Sequence, residues 1–237
     1  MYNTSTCYGQ GSTYSLPSVS YQSNIGYNKS SQYTRPEYRP LYVAPTAENF
    51  EARTFLREER PNTAFIKCAD EVKDLIEEAF LRVTGTEFPK EGIQITILAR
   101  ESFKRVHDDL GKWSEGIMGF SINRYGKGVS EIFVRENNLD ELMLTIGHEI
   151  GHVMSNTLPD KRDEEAKAHA FSIAWMEKVQ EFDIGGLRKN IALNPARNGI
   201  HDVALDHVRK LLNSGMEAID IFKTLSKGLM SMIAEVS

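Results

Sequence analysis

Two histidines and a glutamate in the middle of the chain have the types and the spacing of a metal-dependent hydrolytic site. The segment consists of His148, Glu149, Ile150, Gly151 and His152. Because side chains four residues apart lie on one face of a helix, one turn apart, both imidazoles can reach the same metal ion. Glu149 projects beside them, where a carboxylate can contact a water on that ion. This HExxH pattern therefore predicts a metal site that supports hydrolysis.

The chain around this pattern predicts the helix that such a site needs. Asn138 and Glu141 have the spacing of a capping box. Apolar residues follow with helical spacing, at Leu142, Ile146, Ile150 and Val153. Gly147 and Gly151 each cost about 1 kcal/mol in a helix interior, so they indicate that another backbone approaches closely. The alternative, a buried helix whose histidines hydrogen-bond locally, leaves both glycines unexplained.

The composition limits the classes of protein that remain. The 237 residues suffice for one globular domain, and the net charge of −5 argues against a nucleic-acid-binding protein. No apolar run approaches the ~18 residues of a membrane span, so we expect no membrane partner. Cys7 and Cys68 lie far apart and form neither a zinc knuckle nor a disulfide framework, which fits a reducing compartment. Together with the lack of an apolar secretory signal, these features predict an intracellular, cytoplasmic protein.

Residues 1–45 differ sharply from the rest of the chain. Eight of the nine tyrosines lie here among Ser, Asn, Gln, Gly and Thr, and Glu37 is the only acidic residue. Such a segment cannot bury enough apolar surface to offset the entropy of ordering, so we predict a disordered tail. Its tyrosines can also serve as contact points for a partner or for self-association. A further interpretation lays the tail across the active-site cleft, but no sequence feature favours it specifically.

The rest of the chain predicts a folded α+β domain over residues 46–237. Helices are predicted at 48–59, 64–84 and 101–110, and strands at 93–98, 118–123 and 129–135. A glycine-bearing turn joins the last two strands into a hairpin. The expected fold is a small three-stranded sheet packed on a backing helix and on the HExxH helix, within an upper subdomain of residues 46–156. Two more helices, at 202–212 and 216–232, predict an all-helical lower subdomain of residues 157–237.

This order of elements, a long helix, a small sheet and then the HExxH helix, resembles the upper subdomain of gluzincin metallopeptidases. The resemblance covers about residues 64–182, and its specific part is 148–172. In that superfamily a strand at the edge of the sheet lines the cleft and pairs with the extended substrate. The resemblance therefore implies that residues 129–135 recognise a peptide through backbone hydrogen bonds.

The third metal ligand is expected from the helix that follows. The HExxHxxGxxH pattern is absent, since Ser155 and Leu158 stand in place of its glycine and its third histidine. Gluzincins take a glutamate from a following ExxA(D/N) pattern, and residues 165–169, EAKAH, resemble it with a histidine in the last place. The resemblance implies that Glu165 is the ligand. The short spacer before it resembles that of compact, minigluzincin-like members.

Two alternatives to Glu165 as the third ligand stay open. Glu164 belongs to the same acidic helix start, but it projects about 100° away from Glu165, so only one of them can face the ion. His169 can bind the ion itself. It can also orient His148, in the place of the Asp or Asn that does this in the family.

The predicted ligands suit zinc and the hydrolysis of peptide bonds. Held by two imidazoles and a carboxylate, Zn²⁺ keeps one position for a water, lowers the pKa of that water and polarises a carbonyl. Glu149 would take the proton of the water as general base and pass it to the leaving amine. The developing oxyanion needs another donor, and the candidates are His201, ranked first, then His207, Tyr125 and Arg197.

The sequence therefore predicts a zinc-dependent endopeptidase that acts on a peptide or protein substrate. The competing hypothesis is a non-catalytic, metal-stabilised regulatory or binding protein that acts through its Tyr-rich tail and its C-terminal helices. Glu149 favours the enzyme, because a general base contributes nothing directly to the affinity for the metal.

Overall fold

The structure, a computed structural model, describes residues 50–108, 110, 113–193 and 203–232. The tail predicted for residues 1–45 lies outside these ranges, as do Arg197 and His201. The described strands are β1 (Phe65–Ile66), β2 (Ile93–Leu98), β3 (Gly119–Ile122), β4 (Ser130–Arg135) and β5 (Asn137–Asn138). The described α-helices are α1 (Lys73–Thr84), α2 (Arg100–Asp108), α3 (Leu139–Val153), α4 (Lys161–Glu181), α5 (Val203–Asn213) and α6 (Ala218–Ser226). The described chain thus combines helices with small sheets, as the α+β prediction expected.

The main sheet has three strands in the order β2-β4-β3. β2 runs parallel to β4 with Ile93 opposite Ser130, and β3 runs antiparallel to β4 with Gly119 opposite Val134. The expectation that residues 129–135 form the edge strand is wrong, because β4 hydrogen-bonds on both sides and β3 lies at the edge. β2 could pair with the free edge of either hairpin strand, β3 or β4, and the sequence does not tell which of the two it joins.

Helices cover both faces of this sheet. α3 packs against β3 and β4 on the inner face, where strand residues such as Ile95 and Ile132 enter the main core. On the outer face α2 packs against β2 and β4, over a small second core around Phe103 and Phe120. The predicted backing helix α1 packs chiefly against α4 instead, although its buried Phe80 belongs to the main core.

The segment before α1 departs from the sequence prediction. The helix predicted at 64–84 begins only at Lys73, because β1 pairs with β5 and Ala69–Glu71 forms a separate 3-10 turn. The carboxylate of Glu71 accepts a hydrogen bond from the backbone N–H of Cys68 at 3.0 Å. This local cap starts the turn at residue 69 and breaks the helical pattern of apolar residues.

Other predicted elements agree more closely with the structure. The first strand has the predicted bounds, and β3 and β4 form the predicted hairpin. α5 and α6 pack against each other and against α4.

The helix predicted at 48–59 is only the 3-10 turn Ala52–Phe55, whose Ala52 and Phe55 are buried in the main core.

Two buried carboxylates at the start of α3 form ion pairs with arginines of the segment that precedes β1. Asp140 accepts a hydrogen bond from Arg60 at 2.7 Å, and both oxygens of Glu141 lie 3.0 Å from Nε of Arg53. The predicted capping box is absent, since the side chain of Asn138 caps no N–H group and Glu141 binds arginine instead. These ion pairs fix the first turn of α3 in the fold.

Cys68 forms a disulfide in the structure. Cys68 is therefore not a free thiol. Among the described residues, no helix combines the length and the apolar character that crossing a membrane requires.

Candidate metal centre

α3 and α4 pack against each other at two glycines. A β-carbon on Gly151 would lie 2.9 Å from the Cα of Ala168, and one on Gly147 would lie 2.5 Å from the indole of Trp175. Neither position has room for a side chain. The close backbone approach that the glycines predict is therefore present at Gly151, whereas Gly147 makes room for an aromatic ring.

The start of α4 is fixed by a cap. The carboxylate of Asp160 accepts hydrogen bonds from the backbone N–H groups of Arg162 at 2.9 Å and of Asp163 at 3.4 Å. Such a cap satisfies N–H groups that have no partner within the helix. With the start defined in this way, Glu165 lies on the second turn of the helix and faces α3.

Three donor side chains converge between α3 and α4. Nε2 of His148 lies 3.6 Å from Oε2 of Glu165, and Nε2 of His152 lies 3.8 Å from the same oxygen. The donor atoms all lie within 4.8 Å of one another, and the three residues are buried. The structure thus brings together the three residues that the sequence predicts as metal ligands.

This arrangement fits a zinc ion. Ligand atoms about 2.0–2.2 Å from one Zn²⁺ at tetrahedral angles lie about 3.3–3.6 Å apart, close to both distances to Glu165. Two imidazoles and one carboxylate are also a donor set of zinc sites that keep a position for water. Both the spacing and the chemistry of the donors therefore suit this metal.

The charges around the donors favour a cation. Burial lowers the pKa of His148 to about 4, which keeps its imidazole neutral. Burial also opposes a charge on His152, but the carboxylates of Glu165 and Glu164 outweigh it and raise the pKa of His152 to about 9. The pKa of Glu165 falls to about 2 in spite of its burial, because His152 and His148 stabilise the carboxylate. The cluster is thus a place where negative groups attract positive charge.

Glu164 binds the opposite side of the His152 ring. Its Oε1 accepts a hydrogen bond from Nδ1 of His152 at 2.9 Å, and its Oε2 accepts one from the backbone N–H of Leu158 at 2.8 Å. A carboxylate only accepts, so Nδ1 carries a proton, and Nε2 is the nitrogen that can bind an ion once its own proton is displaced. Glu164 therefore orients the His152 ring, while Glu165 reaches Nε2 of the same ring.

Aromatic rings surround the imidazole of His148. Phe50 stacks on it with 4.3 Å between ring centroids and 9° between ring planes. The ring centroid of His169 lies 5.0 Å away, and that ring is tilted by 58°. Nδ1 of His148 makes no hydrogen bond with any described residue. The orienting hydrogen bond expected from His169 is therefore not formed, and His169 lies outside the cluster of three donors.

Glu149 lies directly beneath the edge strand. A β-carbon on Gly119 of β3 would lie 3.1 Å from the Cγ of Glu149 and 2.6 Å from the Cγ2 of Thr145. The glycine therefore lets the backbone of β3 approach the carboxylate. Burial, helped by the charge of Glu165, raises the pKa of Glu149 to about 7. A carboxyl group that titrates near neutral pH can both accept and return a proton.

Three residues of this centre were not singled out from the sequence, and only one of them carries a sequence signal. Gly119 carries a signal, since a glycine inside a strand often marks a close approach of another group. Lys167 carries none, because a lysine on a helix is ordinarily solvent-exposed, whereas this one is fully buried. Phe50 carries none either, since its contact with His148 joins distant parts of the chain.

The structure describes two of the four candidate oxyanion donors. Tyr125 is half-exposed in the turn of the β3–β4 hairpin, and His207 is buried on α5, which packs against α4. His201 and Arg197 lie outside the described residues. The identity of the donor therefore stays a prediction.

Comparisons of the chain with family models, with curated proteins and with solved structures give no match. The function is therefore argued from the geometry and the charges of this centre.

Proposed function

We propose that this protein is a zinc-dependent endopeptidase. The observation that carries the proposal is the position of Glu149, whose buried carboxylate lies beside the His148, His152 and Glu165 cluster and in contact distance of β3. A general base for hydrolysis of a strand-bound peptide is required at this place. Binding of a metal alone does not require a second carboxyl group beside that of Glu165.

The residues of the centre have separate roles in this proposal. Zinc, when bound, would activate a water and polarise the scissile carbonyl. Glu149 accepts a proton from the attacking water and returns it to the leaving amine, and a pKa of about 7 suits both steps. His148 and His152 would hold the ion through Nε2 as neutral ligands, which requires the ion to displace the proton from Nε2 of His152. Glu164 keeps His152 in the tautomer that this requires.

The proposed substrate class follows from the edge strand. β3 hydrogen-bonds to β4 on one side only, and its other edge has no partner among the described strands. An extended peptide can pair with such an edge through its backbone. A cavity of about 330 Å³ lies beside the start of β3, lined by Phe50, Met118, Thr145 and neighbouring residues. We therefore propose an extended peptide or an unfolded protein segment as substrate, with one of its side chains in this cavity.

The test combines metal analysis with peptide profiling of the purified full chain. We expect about one zinc per chain, as three protein ligands at a single centre require, and cleavage products from an unbiased peptide library. Glu149→Gln keeps the shape of the side chain and should abolish cleavage while zinc content is unchanged. Equal product formation by the wild type and Glu149→Gln would contradict the proposal, since the cleavage would then have another source.

A second candidate function is a metal-stabilised regulatory or binding protein without catalysis. Two observations favour it: His148 is only 2% exposed, and the ring of Phe50 covers it. In this case zinc holds α3 and α4 together and no peptide is cleaved. Removal of zinc would then lower the melting temperature, and the wild type and Glu149→Gln would give identical, product-free peptide profiles.

A further inference from the structure

Lys167 is a fully buried cation beside the metal centre, and the proposed reaction does not use it. Its Nζ lies 2.9 Å from Oε2 of Glu164 and donates hydrogen bonds to the carbonyl oxygens of His152 at 3.2 Å and Asn156 at 3.3 Å. Neither the lysine nor the glutamate has any exposed surface. A buried charge is costly unless it is paired and hydrogen-bonded, so each of these two groups depends on the other.

The contacts of Glu164 separate into two sets, one for each oxygen. Oε1 accepts the proton of Nδ1 of His152, while Oε2 faces Nζ of Lys167 and the N–H of Leu158. Lys167 is the only lysine or arginine that contacts this carboxylate among the described residues.

We propose that Lys167 is a positioning residue for the metal centre that acts through Glu164 on His152. It neutralises and turns the Glu164 carboxylate, so that one oxygen is directed at Nδ1 of His152 and the Nε2 lone pair faces the ion. The inference rests on the metal site, and it does not require that the protein cleave peptides.

A simpler role for Lys167 makes a different prediction. Through the carbonyl oxygens of His152 and Asn156, the lysine also holds the end of α3 and the loop after it. If this were its whole effect, removing Lys167 would weaken zinc binding equally whether residue 164 is a charged glutamate or a neutral glutamine. The two roles are therefore separated by changing both residues of the ion pair together.

The experiment is a double-mutant cycle on zinc affinity, measured by competition with a chromogenic chelator. Lys167→Met should weaken zinc binding about 10–100-fold, as loss of support for a metal-binding histidine typically does. In the double variant Glu164→Gln/Lys167→Met, the neutral amide oxygen still accepts from Nδ1 of His152 and needs no cation. We expect this variant to bind zinc within about threefold of Glu164→Gln, so that the two changes are strongly non-additive.

Lys178→Met is the matched control. Lys178 lies on the same helix and pairs with Glu181 three residues away, but both side chains are exposed. This change should leave the zinc affinity within about twofold of the wild type, as expected for an exposed pair. A double variant that binds zinc no more tightly than Lys167→Met would overturn the proposal and assign Lys167 to the loop alone.

Two further measurements apply if Lys167→Met does not fold. In urea, Glu164→Gln/Lys167→Met should be more stable than Glu164→Gln, because the single change leaves a buried lysine without its counter-ion. In histidine ¹⁵N NMR spectra of the zinc-bound double variant, His152 should keep a protonated Nδ1. Lower stability of the double variant or loss of that signal would contradict the proposal. No peptide is used, so failure of the peptidase proposal would not affect these outcomes.

Discussion

Gly151 lies against Ala168 so closely that a β-carbon on the glycine would lie 2.9 Å from the Cα of the alanine. Replacement of a helical glycine by alanine ordinarily stabilises a helix by about 1 kcal/mol. Here the obstacle is backbone, which cannot rotate away, so α3 and α4 must move apart. We expect Gly151→Ala to destabilise the protein by about 1–3 kcal/mol in urea unfolding and to weaken zinc binding. A variant as stable as the wild type would contradict this packing.

The two adjacent glutamates of α4 should differ in their effects on zinc. Glu165→Gln removes the charge of the proposed third ligand, and we expect the affinity for zinc to fall by about three orders of magnitude or more. Glu164→Gln keeps an acceptor for Nδ1 of His152, so its loss should be about tenfold or less. Chelator competition measures both dissociation constants. Equal losses would show that the two carboxylates do not have the separate roles assigned to them.

Stability in acid should depend on Asp140. Burial raises the pKa of Asp140, but hydrogen bonds from Asn190 and Arg60 outweigh it and hold the pKa below its ordinary value of 3.8. A depressed pKa contributes stability above pH 3.8 that is lost as the pH falls through the folded-state pKa. Asp140→Asn should cost about 1–3 kcal/mol at neutral pH. As the pH falls below 3.8, the unfolding free energy of Asp140→Asn should also change less than that of the wild type.

The control for this acid series is Asp220→Asn. Asp220 lies on α6 with its side chain 58% exposed and pairs with Lys223. Because an exposed pair contributes little, the pH profile of this variant should follow that of the wild type. If Asp140→Asn and Asp220→Asn gave the same profile, the buried network at the start of α3 would not be a source of acid sensitivity.

The ring of Phe50 should slow the exchange of zinc. It stacks on the imidazole of His148, and an aromatic pair contributes about 0.5–1.5 kcal/mol, which corresponds to roughly two- to tenfold in a rate. Phe50→Ala should therefore speed both uptake of zinc and its release to a chelator. Phe65→Ala is the control, since Phe65 is half-exposed on β1. Release at the same rate from both variants would mean that the ring does not limit access.

The convergence of His148, His152 and Glu165 could be predicted because much of its geometry is local. The spacing of His148 and His152 on one helix follows from the helical repeat, and the side chains do lie together. Glu165 is one helix further along the chain, and small residues such as Gly151 and Ala168 indicated that the two helices touch. The spacing of these residues along the sequence was therefore enough to predict most of this arrangement of side chains.

The parts that could not be predicted depend on contacts between distant segments. Whether β3 or β4 takes the edge of the sheet is decided by where β2 pairs, which no local pattern reports. Apolar periodicity predicted a helix over residues 64–84, but the pairing of β1 with β5 and the cap at Glu71 outweighed it. The burial of Lys167 is a tertiary property too, since it needs Glu164 and the end of α3 at once.

The position of Phe50 also ties the candidate metal centre to the start of the described chain. Its ring stacks on the imidazole of His148, 98 positions further along the sequence. Any shortened form of the protein that begins after Phe50 therefore loses the ring that covers this imidazole.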